Sequence, residues 1–161
     1  MTAKKVTSEE KDLSGPARLA LKLGNIAHAG VYRATGGRVF GRMGKNPLLL
    51  LNTVGRKSGK KRATPLLYVV DGGDFVIIAS KGGTPTHPAW YLNLKANPDT
   101  TIELGDRKLQ VSAEEVDGEE KARLWRKMAE MYPTYDDYQK KTTREIPLLV
   151  LHTRDWQRGA P

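Results

Sequence analysis

Leu19, Leu23, Ile26, Ala27 and Val31 or Tyr32 recur at helical spacing between Gly15-Pro16 and Thr35-Gly36-Gly37. Proline in a first helical turn costs little, because its missing N–H would have no intrahelical acceptor. The pattern therefore predicts an amphipathic helix over 15–34, followed by a Gly-rich connection to Gly44. Beyond it the period shortens. Leu48–Val54 is a continuous apolar run, Gly55–Gly59 is a turn, and Arg62–Val70 and Phe75–Ser80 are joined by the hairpin signal Asp71-Gly72-Gly73-Asp74. A loop over Lys81–His87 leads to Pro88, which opens a short helix to Ala96, stopped by Asn97-Pro98. Thr100–Leu104 and Lys108–Val116 form a further hairpin around Gly105-Asp106. Ala122, Trp125, Met128 and Ala129 mark one face of a helix over 118–131; a tyrosine-rich turn follows, and Ile146–Thr153 is the last strand. Residues 1–13 are polar and expected to be a flexible N-terminus, leaving 14–161 as one domain. Six strands with hairpin links, and helices before, between and after them, do not suit a doubly wound parallel sheet. They suit an α+β fold, an antiparallel barrel with helices outside, because closure removes exposed edges.

A chain of 161 residues is long enough to build a real core. Without cysteine there is no disulfide, no thiolate nucleophile and no Cys-ligated metal. The longest apolar run, Pro47–Leu51, is too short to span a membrane, and Met1–Glu10 lacks an apolar signal core. A cytoplasmic protein is the expectation. Charge changes the picture more. Between Asp12 and Asp71 there is no acidic residue, yet that stretch holds eleven cations, while the whole chain has 27 Lys+Arg against 18 Asp+Glu. A field so segregated attracts a phosphate, a polyanion or an acidic membrane face. The alternative is a solvated basic face without a ligand.

Several chemistries have no support. His28, His87 and His152 lie far apart with no metal-binding spacing, so no metal is expected. There is no Gly-x-Ser-x-Gly elbow and no dinucleotide fingerprint. Gly55-Arg-Lys-Ser-Gly-Lys-Lys-Arg62 has three residues between its glycines where a P-loop needs four, and Lys61 stands where that loop has Ser or Thr. Its accessible amides, the Ser58 hydroxyl and five cations still favour phosphate, unless the stretch is a solvated hairpin tip. Ser80–Pro98 places a strand end, a glycine loop and a helix start in succession, aiming amides at one place. Trp90 and Tyr91 follow, either as core or beside a flat ligand admitted by Gly82-Gly83. Tyr132, Tyr135 and Tyr138 recur at i, i+3 and i+6, as half-buried core aromatics or as one wall of a pocket.

Five ordered segments carry a resemblance across roughly Pro47 to Leu151. They are Gly55-Arg-Lys-Ser-Gly-Lys-x-Arg-x-x-Pro-Leu66, Asp71-Gly-Gly73, Ala79-Ser-Lys-Gly-Gly83, Pro88-x-Trp-Tyr-x-Asn-Leu-x-Ala-Asn-Pro98 and Met131-Tyr-Pro-x-Tyr-x-x-Tyr138. Together they resemble the deazaflavin-dependent nitroreductase family of actinobacteria, small FMN-binding-like split β-barrels of six antiparallel strands that use reduced coenzyme F420, an 8-hydroxy-5-deazaflavin. The resemblance implies that Arg56, Lys57, Ser58 and Arg62 hold the cofactor's phosphate and polyglutamate tail. Ala63, Thr64, Pro65 and Leu66 would continue along it. Ile78, Ala79, Ser80 and Lys81 would cradle the ring together with Ala89, Trp90, Tyr91, Leu92 and Asn93. Ser80, Tyr132, Tyr135 and Tyr138 would face the substrate as catalytic residues, with Tyr135 also touching the cofactor. Some members have tyrosine two positions after the proline of the second strand; here Leu67 takes that place, and alternation turns the adjacent Tyr68 to the opposite face.

The function so implied is an F420H2-dependent reductase passing hydride to a small electron-poor acceptor: a quinone, an enone or a nitroaromatic. A flavin mononucleotide enzyme of the same barrel type, a cofactor carrier without catalysis and a nucleic-acid-binding module are the alternatives. The last is weakened because no aromatics interleave with the cations from Arg56 to Arg62. No nucleic acid is expected, and the protein is expected to be a monomer or dimer. The N-terminal helix is left two roles, covering the pocket or touching a membrane.

Overall fold

The computed structural model describes residues 15–154, so the segment expected to be a flexible N-terminus lies outside the described residues. The helix α1 (Gly15–Ala34) precedes a two-residue β1 (Arg42–Met43), then β2 (Asn46–Val54), β3 (Lys61–Leu67), β4 (Val69–Asp71) and β5 (Asp74–Ile78). A 3-10 turn over Lys81–Gly83 leads to α2 (Ala89–Ala96), β6 (Asp99–Leu104), β7 (Arg107–Val116), α3 (Gly118–Met131), α4 (Thr134–Lys140) and β8 (Leu148–Thr153). The six expected strands are present, with the second broken at Tyr68 into β3 and β4 and the short β1 added. The tyrosine-rich turn is a helix in its own right, α4.

Every strand pairing is antiparallel, in the order β2-β6-β7-β8-β5-β4, with β3 on the other side of β2. The break at Tyr68 is what curls this sheet. Leu67 at the end of β3 pairs with Leu48 of β2, and Val69 at the start of β4 pairs with Val76 of β5. One stretch of chain thus joins both ends of the sheet, which makes the fold an α+β split β-barrel.

Alternation along the strands sorts the core. Leu49, Leu51, Ile77, Ile102, Leu149 and Leu151 face the barrel interior, where Trp90, Tyr91 and Leu94 of α2 pack against them. Val76, Ile78, Leu148 and Val150 face outward and are covered by Leu124 and Met128 of α3 and Tyr135 of α4. Each such aliphatic side chain contributes about 1.5–3 kcal/mol on burial. Tyr68 turns inward and meets the Phe75 ring edge at 5.5 Å between centroids, while Leu67 joins the outer cluster beside the tyrosines. The alternation expected for this pair holds.

Helix α1 has the expected span, and of the residues at apolar spacing it is Tyr32, the alternative to Val31, that is buried. Leu19, Leu23 and Ile26 are each more than half exposed, and Ala29 and Tyr32 are the buried residues, over Leu50. The Tyr32 hydroxyl explains the choice. It accepts from Gly105 N at 2.7 Å and reaches the carbonyl oxygens of Leu48 and Glu103 at 3.3 Å, so the helix end is hydrogen-bonded to the sheet as well as packed. Next to it, Nε and one terminal nitrogen of Arg33 donate to the two carboxylate oxygens of Glu103, each at 2.8 Å.

Candidate functional site

A cleft of about 1270 Å³ opens between the exposed half of α1, the strand β3, the loop after β5, the start of α2 and the tyrosines of α4. Its basic end is the β2–β3 turn. Gly59 N donates to Gly55 O and Gly55 N to Lys60 O, both at 2.8 Å, which folds the turn back on itself and presents Arg56, Lys57 and Arg62 to the cleft. The turn is also tied down from below. Asn93 of α2, one of the few buried polar side chains, accepts from Arg56 N at 3.1 Å and donates to Thr53 Oγ1 at 3.4 Å.

The opposite floor is the loop from Ala79 to His87. Lys81, Gly82 and Gly83 follow one another with φ of 44°, 64° and 77°, a left-handed succession that glycine accepts readily. A Cβ on Gly83 would sit 2.5 Å from Tyr138 O, so this backbone packs directly on α4, whereas the space beside Gly82 is open toward the cleft. Gly83 N donates to Ser80 O and Thr84 N to Lys81 O. That leaves the amides of Ser80, Lys81 and Gly82 without a backbone acceptor among the described residues.

The third wall is aromatic. Tyr132, Tyr135 and Tyr138 contact one another with centroids 5.2–6.4 Å apart, and the hydroxyls of Tyr132 and Tyr138 lie 3.4 Å apart. Burial, with the two neighbouring phenols, pushes Tyr135 well above the ordinary tyrosine pKa. The hydrogen bond to Tyr132, then burial, raises Tyr138. Both stay protonated at neutral pH. Tyr135 is 5% exposed, lines the cleft, and has no hydrogen-bond partner among the described residues. Leu48, Leu66, Leu67 and Met43 make the adjoining wall apolar.

The structure brings most of the expected residues to this one cleft. Arg56, Lys57, Arg62, Thr64, Pro65 and Leu66 line it from the turn and β3; Ile78, Ser80 and Lys81 line it from the loop; Ala89, Trp90, Leu92 and Asn93 line it from α2. Four others are not in its wall. Ser58 accepts from Lys60 N inside the turn, and Ala63 packs under α1. Ala79 is fully buried, and Tyr91 points inward, donating to Glu115 at 2.8 Å with its pKa pushed up to about 12 by burial and that bond. Sequence reasoning missed Lys22 and Asn25 of α1, Thr53, and His87, all of which line the cleft. The polar side of the helical pattern was a signal for the first two, and His87 lies within the Ser80–Pro98 segment singled out above; nothing in the sequence marked Thr53.

The family model for F420H(2)-dependent quinone reductase matches residues 26–153. An F420H(2)-dependent quinone reductase of Mycobacterium tuberculosis is 44% identical over 79% of this chain and 88% of its own. A solved F420-H2 dependent reductase, FDR-A, is 46% identical, covers 66% of this chain and 94% of its own, and superposes with a TM-score of 0.61. A second solved structure, described as a domain-swapped dimer, is 38% identical over 86% of this chain and 100% of its own, with a TM-score of 0.65.

Proposed function

Because the chain belongs to the F420H(2)-dependent quinone reductase family, it is an oxidoreductase whose cofactor is coenzyme F420, and we propose that its acceptor is a quinone bound against the tyrosine wall. When bound, the reduced deazaflavin supplies a hydride from the ring carbon that replaces the reactive nitrogen of flavin. The residues present fit such a group. A cationic turn stands at one end for phosphate and carboxylates, and three amides without backbone acceptors stand at the other for the polar ring edge. The open space beside Gly82 leaves room for a flat ring between them. Arg56, Lys57 and Arg62 bind the anionic end, Asn93 holds their turn in place, and Trp90 and the loop amides orient the ring.

The observation that carries the acceptor proposal is the Tyr135 hydroxyl, facing an apolar-walled cleft with no partner of its own among the described residues. Hydride transfer to a quinone delivers two electrons and one proton and leaves a single negative charge on an oxygen, and one further proton completes the hydroquinone. Phenols of Tyr135 and Tyr138, with the Ser80 hydroxyl, stabilise that oxygen by hydrogen bonding as the charge develops. A phenol with so raised a pKa is a poor acid, so solvent delivers the proton. Leu48, Leu66 and Leu67 exclude water from the hydride path and accommodate an apolar ring or side chain.

The test is anaerobic oxidation of F420H2 in the presence of a naphthoquinone, an enone or a nitroaromatic, after a fluorescence titration of F420 at low and high salt. Quinone-dependent turnover, and affinity that falls with salt and by about tenfold in Arg56→Ala or Lys57→Ala, are the expected results. Turnover only with the enone or nitroaromatic would overturn the quinone assignment and keep the reductase. We also propose that two copies pair through α1, since a 38% identical relative is described as a domain-swapped dimer and Leu19, Leu23 and Ile26 stay exposed. Among the described residues no helix is long and apolar enough to cross a membrane. Sedimentation equilibrium giving the mass of one chain would refute the pairing.

A further inference from the structure

Arg144, between α4 and β8, is half-buried and spends its whole guanidinium on the back of the 79–87 loop. Its Nε donates to Thr84 O at 2.8 Å, one terminal nitrogen donates to Ser80 O at 2.6 Å, and the other reaches Ala79 O at 3.3 Å and His87 Nδ1 at 3.1 Å. These partners are three carbonyls and a neutral ring, so no carboxylate pairs with this cation among the described residues. Its charge is uncompensated beneath the cleft floor. A guanidinium only donates, so His87 Nδ1 must accept and its proton sits on Nε2. Burial, reinforced by the Arg144 charge, holds His87 below its ordinary pKa, which keeps it neutral.

The loop needs such a fastening. Three successive residues have positive φ, one of them a lysine, and the internal backbone bonds are the two from Gly83 and Thr84. The nearby charges are otherwise engaged. Lys81 Nζ donates to Thr86, Glu115 is held by Tyr91 and Lys95, and Glu145 faces Lys121.

We propose that Arg144 is the positioning residue of the cofactor-facing loop: it clamps Ala79–His87 from behind and keeps an unpaired positive charge under the floor that favours an anionic ring in the cleft. The electrostatic half rests on F420 occupying this cleft; the clamp does not. In the cofactor-free protein, hydrogen exchange at Gly83 and Thr84 should quicken by about tenfold in Arg144→Met, as expected when a local opening loses a few hydrogen bonds. Arg144→Lys, with three donors on one atom and the charge retained, cannot span four acceptors and should also exchange faster. With F420 bound, the ionisation of its 8-hydroxyl, followed by absorbance, should move to higher pH by about one unit in Arg144→Met and be largely restored in Arg144→Lys. A purely structural role would not separate the two variants in this way.

Exchange unchanged from wild type in both variants would overturn the clamp. An unshifted ionisation in Arg144→Met would overturn the electrostatic half. If Arg144→Met does not fold, Arg144→Lys carries the exchange test, and its ionisation must match wild type. A wild-type protein that fails to bind F420 would instead overturn the cofactor placement, a failure that the cofactor-free exchange experiment does not share.

Discussion

Gly82 and Gly83 are neighbours with similar backbone conformations and opposite surroundings, so the same methyl group should have different consequences at each. Both have positive φ, 64° and 77°, and an alanine there costs about 1–2 kcal/mol for its backbone alone. At Gly82 the added Cβ meets nothing within 4 Å. At Gly83 it meets Tyr138 O at 2.5 Å, with Tyr138 Cα and C at 3.0 and 3.1 Å. Those are backbone atoms, which cannot rotate aside. The loop and α4 must separate by roughly 1 Å to restore ordinary contact, an overpacking cost of about 1–3 kcal/mol. Gly83→Ala should therefore lose about 2–5 kcal/mol, and Gly82→Ala only about 1–2 kcal/mol. Urea unfolding of the cofactor-free proteins, followed by tryptophan fluorescence, measures both. In F420 titrations the order should reverse, because the Gly82 methyl projects into the cleft itself. Equal destabilisation by the two substitutions would refute the direct contact between the loop and α4.

Tyr135→Phe should leave stability within about 0.5 kcal/mol, since its hydroxyl has no partner to lose among the described residues, and should lower quinone turnover by about tenfold in the anaerobic assay. Tyr32→Phe removes the acceptor of Gly105 N and should destabilise by about 1–3 kcal/mol in urea. His152 stands between Asp74 and Glu114, at 2.8 and 2.6 Å. Partial burial opposes its charge, but the bonds to Glu114 and Asp74 outweigh burial and raise its pKa. Its stabilisation is complete below the unfolded value of about 6.5 and is lost as pH rises through the higher folded value. The melting-temperature advantage of wild type over His152→Gln should therefore shrink from about pH 6.5 upward, and a pH-independent difference would refute the ion pairs.

Strand positions were legible because alternation and turn chemistry coincide here: Asp71-Gly72-Gly73-Asp74 and Gly105-Asp106 mark hairpins whose flanking residues alternate cleanly. The orientation of Leu67 and Tyr68 followed from the same rule. Closure at Tyr68 was not legible, because a one-residue break in a strand has no composition of its own. Helix α1 was legible as a helix but not in its docking face. Spacing left Val31 and Tyr32 as alternatives beside Leu19, Leu23 and Ile26, and the structure docks the side that Tyr32 can hydrogen-bond. A buried phenol with three polar neighbours on the sheet fixes a helix rotation that hydrophobic counting cannot see.

The cleft shows the same division. Its cationic end was readable because it is local: Gly55 to Arg62 is one turn, and charge and backbone freedom coincide in eight residues. Its floor is assembled from distance. Arg144 lies 57 or more residues from every atom it holds, in a polar stretch with no motif, and what marks it among the described residues is a guanidinium that faces four acceptors, none of them a carboxylate. A sequence can reveal a cation on a glycine turn, because the turn and the charge are written side by side. It cannot reveal one whose purpose is to hold another segment's backbone, because that purpose exists only once β5 and β8 have paired and brought the two segments together.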